Sequence, residues 1–73
     1  MKKKIYNIGI IGAGNTAKEY LKVLSYFKEL NLTAIYSRSP NKAKKLSRKY
    51  KSLKVFESID KMYMKGKLDL VIV

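Results

Sequence analysis

The stretch that most constrains the fold covers residues 8–17, whose sequence is IGIIGAGNTA. It opens with an apolar run that contains one glycine, a composition typical of a strand buried on both faces. Gly12 and Gly14 follow, and apolar residues at helical spacing begin just after Asn15. A strand that stops at glycines and leads directly into a helix predicts the opening of a βαβ unit, and therefore a parallel sheet.

The turn in this stretch has the pattern G-x-G-x-x-A between Gly12 and Ala17, which is a dinucleotide-binding pattern. In it, Gly12 allows a tight turn, Gly14 lets a pyrophosphate approach the backbone, and Ala17 lets the helix lie close to the strand. The N–H groups that open the helix would bind the diphosphate. Asn15 and Thr16 would add side-chain hydrogen bonds or, alternatively, cap the helix. A glycine turn that binds nothing is also compatible with this pattern.

The rest of the chain alternates between strand and helix patterns. We predict strands at residues 5–11, 32–36, 53–56 and 67–73, with helices between them and the first helix at residues 15–29. Short connections between such elements imply parallel pairing through crossover helices. The predicted fold is α/β, a partial Rossmann fold with four mostly parallel strands. We expect residues 1–73 to be the N-terminal portion of a doubly wound dinucleotide-binding domain, because the last strand is of the buried type.

Several helix boundaries and core positions follow from local chemistry. Ser39 is a suitable N-cap before Pro40, since proline is tolerated at the first helical position. Ser58 or Glu57 would cap the third helix, and Gly66 would follow its end as the C′ residue. Asp69 is expected to contact nearby backbone or a lysine. Three further side chains are expected to pack in the core: Tyr20, Met62 and Met64.

The composition limits the classes of partner. The chain has 73 residues and a formal net charge of +12, with neither cysteine nor histidine, so we expect no metal site. Most basic residues fall on exposed helix faces without interleaved aromatic residues, which argues against nucleic acid. The apolar runs are too short to span a bilayer. The lysines at residues 2–4 are interpreted as a basic lead-in to a strand rather than a targeting segment, so a cytoplasmic location is expected.

Three segments together resemble the N-terminal NAD(P)-binding Rossmann domain of the Gfo/Idh/MocA oxidoreductases, the glucose–fructose oxidoreductase and inositol dehydrogenase family. They are residues 8–17 (IGIIGAGNTA), residues 34–43 (AIYSRSPNKA) and residues 67–73 (KLDLVIV). The resemblance covers essentially the whole chain. It implies NAD(P)-dependent oxidation or reduction of a sugar, cyclitol or related hydroxyl-bearing small molecule.

The same resemblance implies parts that these residues do not contain. In the family, a Glu-Lys-Pro segment and a second domain with the catalytic lysine and histidine or aspartate follow, so no catalytic residue is assigned here. The rest of the cofactor domain and the substrate domain would be absent, and the 73-residue chain would be inactive alone. The full-length protein is expected to form a homo-oligomer.

Three other interpretations of the sequence remain open. The glycine turn and the Ser37–Pro40 segment also resemble NADP-dependent pyrroline-5-carboxylate reductases, although Thr16 stands where that family usually has methionine. A non-catalytic dinucleotide-binding module would share the fold. A basic nucleic-acid-binding protein would share the charge.

The end of the second predicted strand bears on cofactor choice. NAD enzymes of this fold typically place an acidic residue there to bind the ribose hydroxyls, whereas this chain has Ser37 followed by Arg38. A hydroxyl and a guanidinium can bind the 2′-phosphate of NADP, which a carboxylate would repel. Ser39 and Lys42 lie close enough in sequence to contribute. NADP is therefore predicted over NAD, with relaxed cofactor choice as the alternative.

Overall fold

The computed structural model describes residues 4–73, so most of the predicted basic lead-in, residues 1–3, lies outside the described residues. The elements, in chain order, are β1 Tyr6–Ile11, α1 Asn15–Leu24, β2 Leu30–Tyr36, α2 Pro40–Lys49, β3 Lys54–Val55, α3 Ile59–Lys65 and β4 Leu70–Ile72. This alternation confirms the predicted α/β class. No helix within residues 4–73 is both long enough and apolar enough to cross a membrane.

The four strands form one sheet in the order β3-β2-β1-β4. Every pair of neighbouring strands is parallel, which confirms the predicted parallel sheet. In the register of the sheet, Ile11 of β1 lies beside Tyr36 of β2, and Ile10 lies beside Ile72 of β4. Because the strands are parallel, the residues that follow β1, β2 and β4 meet at one edge of the sheet.

A bulge in β2 decides which of its side chains face which layer. Leu32 and Ala34 pair with consecutive residues of β1, which leaves Thr33 as an extra residue in β2. Side chains three residues apart in a regular strand point to opposite faces, but the bulge places Leu32 and Ile35 in the same buried cluster. Ala34 belongs to a second buried cluster. The bulge therefore provides apolar side chains to both faces of the sheet.

Helices cover both faces. The larger cluster joins β1 and β2 to α1 and α2 through the buried helix residues Ala17, Leu21, Ala43 and Leu46. The smaller cluster joins β2 to α3 through Met62, which is fully buried, and to Phe56. The central strands are thus enclosed by α1 and α2 on one side and α3 on the other, as a parallel sheet requires.

At the amino edge of the sheet, Asn7 links β1 to β2 and to the residues that precede β4. Its backbone N–H donates to Asp69 Oδ2 at 2.7 Å, and its carbonyl accepts from the Asp69 N–H at 2.8 Å. Its side-chain Oδ1 accepts from Asn31 Nδ2 at 3.2 Å and from Thr33 Oγ1 at 3.4 Å. Its Nδ2 donates to the Lys67 carbonyl at 3.2 Å. The predicted contact of Asp69 with nearby backbone is confirmed.

The N-terminal boundaries of α2 and α3 fall close to the predicted residues. Ser58 caps α3, and its hydroxyl accepts the N–H of Lys61 at 3.1 Å, which decides between Ser58 and Glu57. Ser39 is the N-cap of α2, but its side chain forms no capping hydrogen bond. Ser39 therefore marks the start of the helix without satisfying its first N–H groups through the hydroxyl.

The C-terminus of α3 differs from the prediction. Gly66 is the C-cap with a helical φ of −75°, and Lys67 follows in the left-handed region with φ of 49°. The prediction that Gly66 is the C′ residue is therefore wrong by one position. A Cβ on Gly66 would lie 2.5 Å from the Met62 carbonyl oxygen, so crowding rather than left-handed backbone favours glycine there.

Two predicted core side chains are exposed. Met64 is 81% exposed, whereas Met62 is fully buried. Residues two positions apart on a helix are separated by more than half a turn, so their side chains point to different faces. Tyr20 is 48% exposed. Helix α1 also ends at Leu24, five residues before the predicted boundary at residue 29.

Candidate cofactor-binding site

The turn after β1 is held against the end of β2 by one backbone hydrogen bond. The N–H of Gly12 donates to the carbonyl of Tyr36 at 2.8 Å. Gly12 has a φ of +116°, and a Cβ added there would meet no atom within 4 Å. The backbone conformation alone therefore favours glycine at this position.

Gly14 differs from Gly12 in its backbone. It is the N-cap of α1 with φ of −81° and ψ of −168°, an extended conformation that any residue can adopt. A Cβ added to Gly14 would also meet no atom within 4 Å. Neither the conformation of Gly14 nor its protein neighbours require glycine, and the space beside its backbone is open.

The first turn of α1 offers its N–H groups to partners outside the helix. No side chain caps it, and the turn contains no acidic residue. The first N–H that bonds within the helix is that of Lys18, which donates to the Gly14 carbonyl at 3.1 Å. Asn15 and Thr16 occupy the first two helical positions, so the alternative that one of them caps the helix is wrong. Such a helix start favours an anion.

Two clefts flank the glycine turn. The first, which we call the Gly14 cleft, has a volume of about 190 Å³ and is lined by Ile10, Ile11, Gly12, Gly14, Asn15, Thr16, Ala17, Tyr20, Ile72 and Val73. The second, the Arg38 cleft, has a volume of about 440 Å³ and is lined by Ile11, Gly12, Tyr36, Ser37, Arg38 and Ile59. Because Ile11 and Gly12 line both, one extended ligand can contact the two clefts across the turn.

Ser37 is fixed by a local hydrogen bond. Its Oγ accepts the N–H of Ser39 at 3.1 Å, so the hydroxyl hydrogen remains to be donated to another group. Arg38 is exposed beside it. No residue that lines either cleft, among those the structure describes, is acidic. The carboxylate that would bind both ribose hydroxyls is therefore missing from this part of the site.

The structure brings together most, but not all, of the sequence-predicted site residues. The predicted residues at the glycine turn and the start of α1 line the Gly14 cleft: Gly12, Gly14, Asn15, Thr16 and Ala17. Ser37 and Arg38 line the Arg38 cleft. Ser39 lines neither and contacts Ser37 through its N–H. Lys42 lines a separate groove that also reaches Gly14.

Two helix residues that line these clefts were missed by the sequence interpretation, besides the strand-end residues Ile10, Ile11, Tyr36, Ile72 and Val73. Tyr20 lies one helical turn after Thr16 and lines the same cleft, which the four-residue spacing of a helix face would have indicated. Ile59 of α3 lines the Arg38 cleft. Nothing local in the sequence places it there, because its position depends on the packing of α3 against β2.

Comparison with known proteins identifies the family. Residues 6–73 match the profile of an oxidoreductase family with an NAD-binding Rossmann fold, Gfo/Idh/MocA. The chain belongs to the Gfo/Idh/MocA family. A sequence search among curated proteins finds no match. Of the two resemblances drawn from the sequence, the family match favours this one over the pyrroline-5-carboxylate reductases.

Solved structures place this Gfo/Idh/MocA chain among dehydrogenase folds. The WlbA dehydrogenase from Bordetella pertussis, in complex with NADH and UDP-GlcNAcA, is similar over 100% of the chain and 21% of its own, with a TM-score of 0.88 and 16% identity. The apo scyllo-inositol dehydrogenase from Lactobacillus casei is similar over 100% and 22%, with a TM-score of 0.82 and 28% identity. A 3-ketoreductase from Actinomadura kijaniata, in complex with NADP and TDP-benzene, is similar over 93% and 21%, with a TM-score of 0.81 and 23% identity.

The chain spans about a fifth of the length of these structures. The match of the Bordetella and Actinomadura proteins, below 25% identity, concerns the fold. Together with the sheet order, it confirms that residues 4–73 form part of a Rossmann fold.

Proposed function

We propose that this Gfo/Idh/MocA chain binds the nicotinamide dinucleotide of an oxidoreductase. The diphosphate would lie beside Gly14 and the N–H groups that open α1, with the adenine-side ribose at Ser37 and Arg38. The observation that carries the proposal is the open space at Gly14, a residue whose own backbone does not need glycine. A ligand that approaches the main chain supplies the missing reason for it.

The residues present fit such a cofactor. The Gly14 cleft supplies uncapped N–H groups for a diphosphate, and the Arg38 cleft supplies a hydroxyl and a guanidinium at the second end of an extended ligand. When bound, the nicotinamide would exchange a hydride with the substrate. The chain itself would bind and orient the cofactor, and we assign none of its residues to the catalytic step.

We further propose that NADP is preferred to NAD. The support is local: Arg38 lines the cleft, no acidic residue among those described lines it, and the Ser37 hydroxyl hydrogen is not used in the Ser39 contact. Arg38 can bind a phosphate with two parallel hydrogen bonds. The Ser39 hydroxyl, which forms no capping hydrogen bond, and the Lys42 ammonium would add donors at the periphery of the 2′-phosphate.

For the whole protein we propose a sugar, cyclitol or related hydroxyl-bearing substrate. The scyllo-inositol dehydrogenase at 28% identity supports this class. We also propose, from the family resemblance, that residues 1–73 are the N-terminal part of a dinucleotide-binding domain; the NAD-binding family match over residues 6–73 supports the cofactor domain. A cytoplasmic location, a homo-oligomeric state and the absence of a nucleic-acid partner remain predictions from the sequence and the family resemblance.

The proposal is tested by substituting Gly14 and Thr16. Titration of the chain with NADPH, followed by fluorescence, should give a dissociation constant that rises about tenfold or more in Gly14→Ala, since a methyl group would occupy the space of the diphosphate. Thermal unfolding followed by circular dichroism should be unchanged, because the Cβ meets no protein atom. Thr16→Ser, which keeps the hydroxyl, is the matched control. Equal NADPH affinity in Gly14→Ala and wild type would contradict the proposal.

A further inference from the structure

Four lysines line one groove between α1 and α2, and three of them, Lys18, Lys45 and Lys49, are not used by the proposed cofactor site. This lysine groove has a volume of about 640 Å³ and is lined by Ala13, Gly14, Asn15, Lys18, Lys42, Lys45, Leu46 and Lys49. Clefts of this size hold small molecules in other proteins. No acidic residue lines it, and its two larger apolar members, Ala13 and Leu46, are 4% and 5% exposed.

The lysines approach the groove from two helices. Lys42, Lys45 and Lys49 repeat at intervals of three and four residues on α2, which places them along one face over about 10 Å of helix. Lys18 faces them from α1. Three ammonium groups along α2 and one from α1, in a groove without an acidic lining residue, form a positive strip.

These ammonium groups have no carboxylate partner among residues 4–73. The ion pair that the structure forms within these residues joins Lys61 to Glu57 at 3.1 Å, on α3. The Lys49 ammonium also lies 5.8 Å from the centroid of the Tyr50 ring, a cation–π contact that does not neutralise its charge. The mutual repulsion of the four lysines would be relieved by a bound anion.

We infer that the lysine groove binds a chain of linked phosphates. Lysine ammonium groups are flexible point charges rather than planar forks, and a row of them suits an anion whose charges are repeated along its length. No aromatic residue lines the groove and its apolar side chains are buried, so it offers little to a nucleobase or to an apolar side chain of an acidic peptide. The inference rests on Lys18, Lys45 and Lys49, which are not among the proposed cofactor contacts, although Gly14, Asn15 and Lys42 are common to both.

Isothermal titration of the chain with sodium tripolyphosphate tests this inference. The double variant Lys45→Gln/Lys49→Gln should raise the dissociation constant about tenfold at low salt, since charge-assisted hydrogen bonds are lost. The matched control Lys28→Gln/Lys65→Gln removes the same charge from exposed positions outside the groove and should change it less than about twofold. Equal weakening by both pairs would show non-specific attraction to net charge and overturn the inference.

Three further binding experiments use the same variants. Titration with ATP identifies the source of the phosphate chain: an affinity like that of tripolyphosphate, with the same loss in the groove variant, supports binding through the phosphates alone. Titration of Lys45→Gln/Lys49→Gln with NADPH should give an affinity within about twofold of wild type, since neither lysine is a proposed cofactor contact. A loss of NADPH affinity equal to the loss for tripolyphosphate would show that the groove is part of the cofactor site and overturn the inference. A short DNA duplex whose binding is weakened by the groove substitutions while tripolyphosphate binding is unchanged would assign the groove to nucleic acid and overturn the inference. Failure of NADPH to bind would contradict only the dinucleotide proposal.

Discussion

Leu68 occupies the space that Gly9 leaves open on the face of the sheet covered by α3. A Cβ built on Gly9 would lie 2.5 Å from Leu68 Cδ1, and one built on Gly66 would lie 3.0 Å from Leu68 Cγ. One leucine, just before β4, therefore packs against glycines in the central strand and at the end of α3. Gly9, in the middle of β1, therefore makes room for Leu68 and does not line either cleft of the ligand site.

Gly9→Ala should destabilise the chain by about 1–3 kcal/mol, because the added methyl group overlaps a packed side chain. Urea unfolding followed by circular dichroism measures this free energy. Combining it with Leu68→Val, which removes one carbon beside the new methyl group, should recover part of the loss. A double-mutant cycle with a coupling free energy near zero would show that the two residues do not share this space.

Gly12 and Gly14 should respond in opposite ways to alanine. Gly12→Ala should lower the free energy of unfolding by about 1–3 kcal/mol, because φ of +116° is strained for any residue with a Cβ. Gly14→Ala should leave it unchanged or raise it slightly, since its φ is ordinary and alanine reduces the entropy of the unfolded chain. Equal destabilisation by both substitutions, measured by urea unfolding, would argue against the difference in backbone conformation.

Lys67 has a left-handed backbone conformation that is unfavourable for a residue with a Cβ. Its φ of 49° lies in the left-handed region, which costs a residue with a Cβ about 1 kcal/mol relative to glycine. Lys67→Gly should therefore raise the free energy of unfolding by roughly 0.5–1 kcal/mol. Lys65→Gly, two residues earlier in α3, removes the same charge from a helical position and should lower it by about 1 kcal/mol. A loss of stability in both variants would contradict the assignment of the helix end.

The features that were predicted correctly depend on residues close together in the sequence. The alternation of elements, the parallel sheet, the Ser58 cap and the corner formed by Gly12 and Ser37 follow from local patterns and are present in the structure. An apolar stripe, however, shows which helix face is apolar but not whether another element covers it. Tyr20 matches the stripe of α1 and is still 48% exposed.

Other features depend on long-range packing and had no local signal. The bulge at Thr33 changes which side chains of β2 face each layer. β2 also begins at Leu30, two residues before the predicted start at residue 32, because Asn31 pairs with Asn7 of β1. Lys45 and Lys49 are exposed, as expected from the sequence, but only the approach of α1 makes the concavity that they line. The candidate ribose contacts were predicted as one group, whereas Lys42 lies in the lysine groove apart from Arg38.

Arg38 should control the choice between NADPH and NADH. It lines the Arg38 cleft next to Ser37, and no acidic residue among those described lines that cleft. Arg38→Ala should weaken NADPH binding about tenfold through loss of charge-assisted hydrogen bonds to the 2′-phosphate. NADH lacks this phosphate, so its dissociation constant should change less than about twofold.

The matched control is Arg48→Ala, which removes the same charge from an exposed position on α2 that lines neither cleft. Fluorescence titrations of both cofactors against wild type and the two variants measure the preference. If Arg48→Ala weakened NADPH binding as much as Arg38→Ala, general charge rather than a placed guanidinium would explain the effect. If wild type bound both cofactors equally and Arg38→Ala changed neither affinity, the predicted preference for NADP would be wrong, while dinucleotide binding at Gly14 would be unaffected.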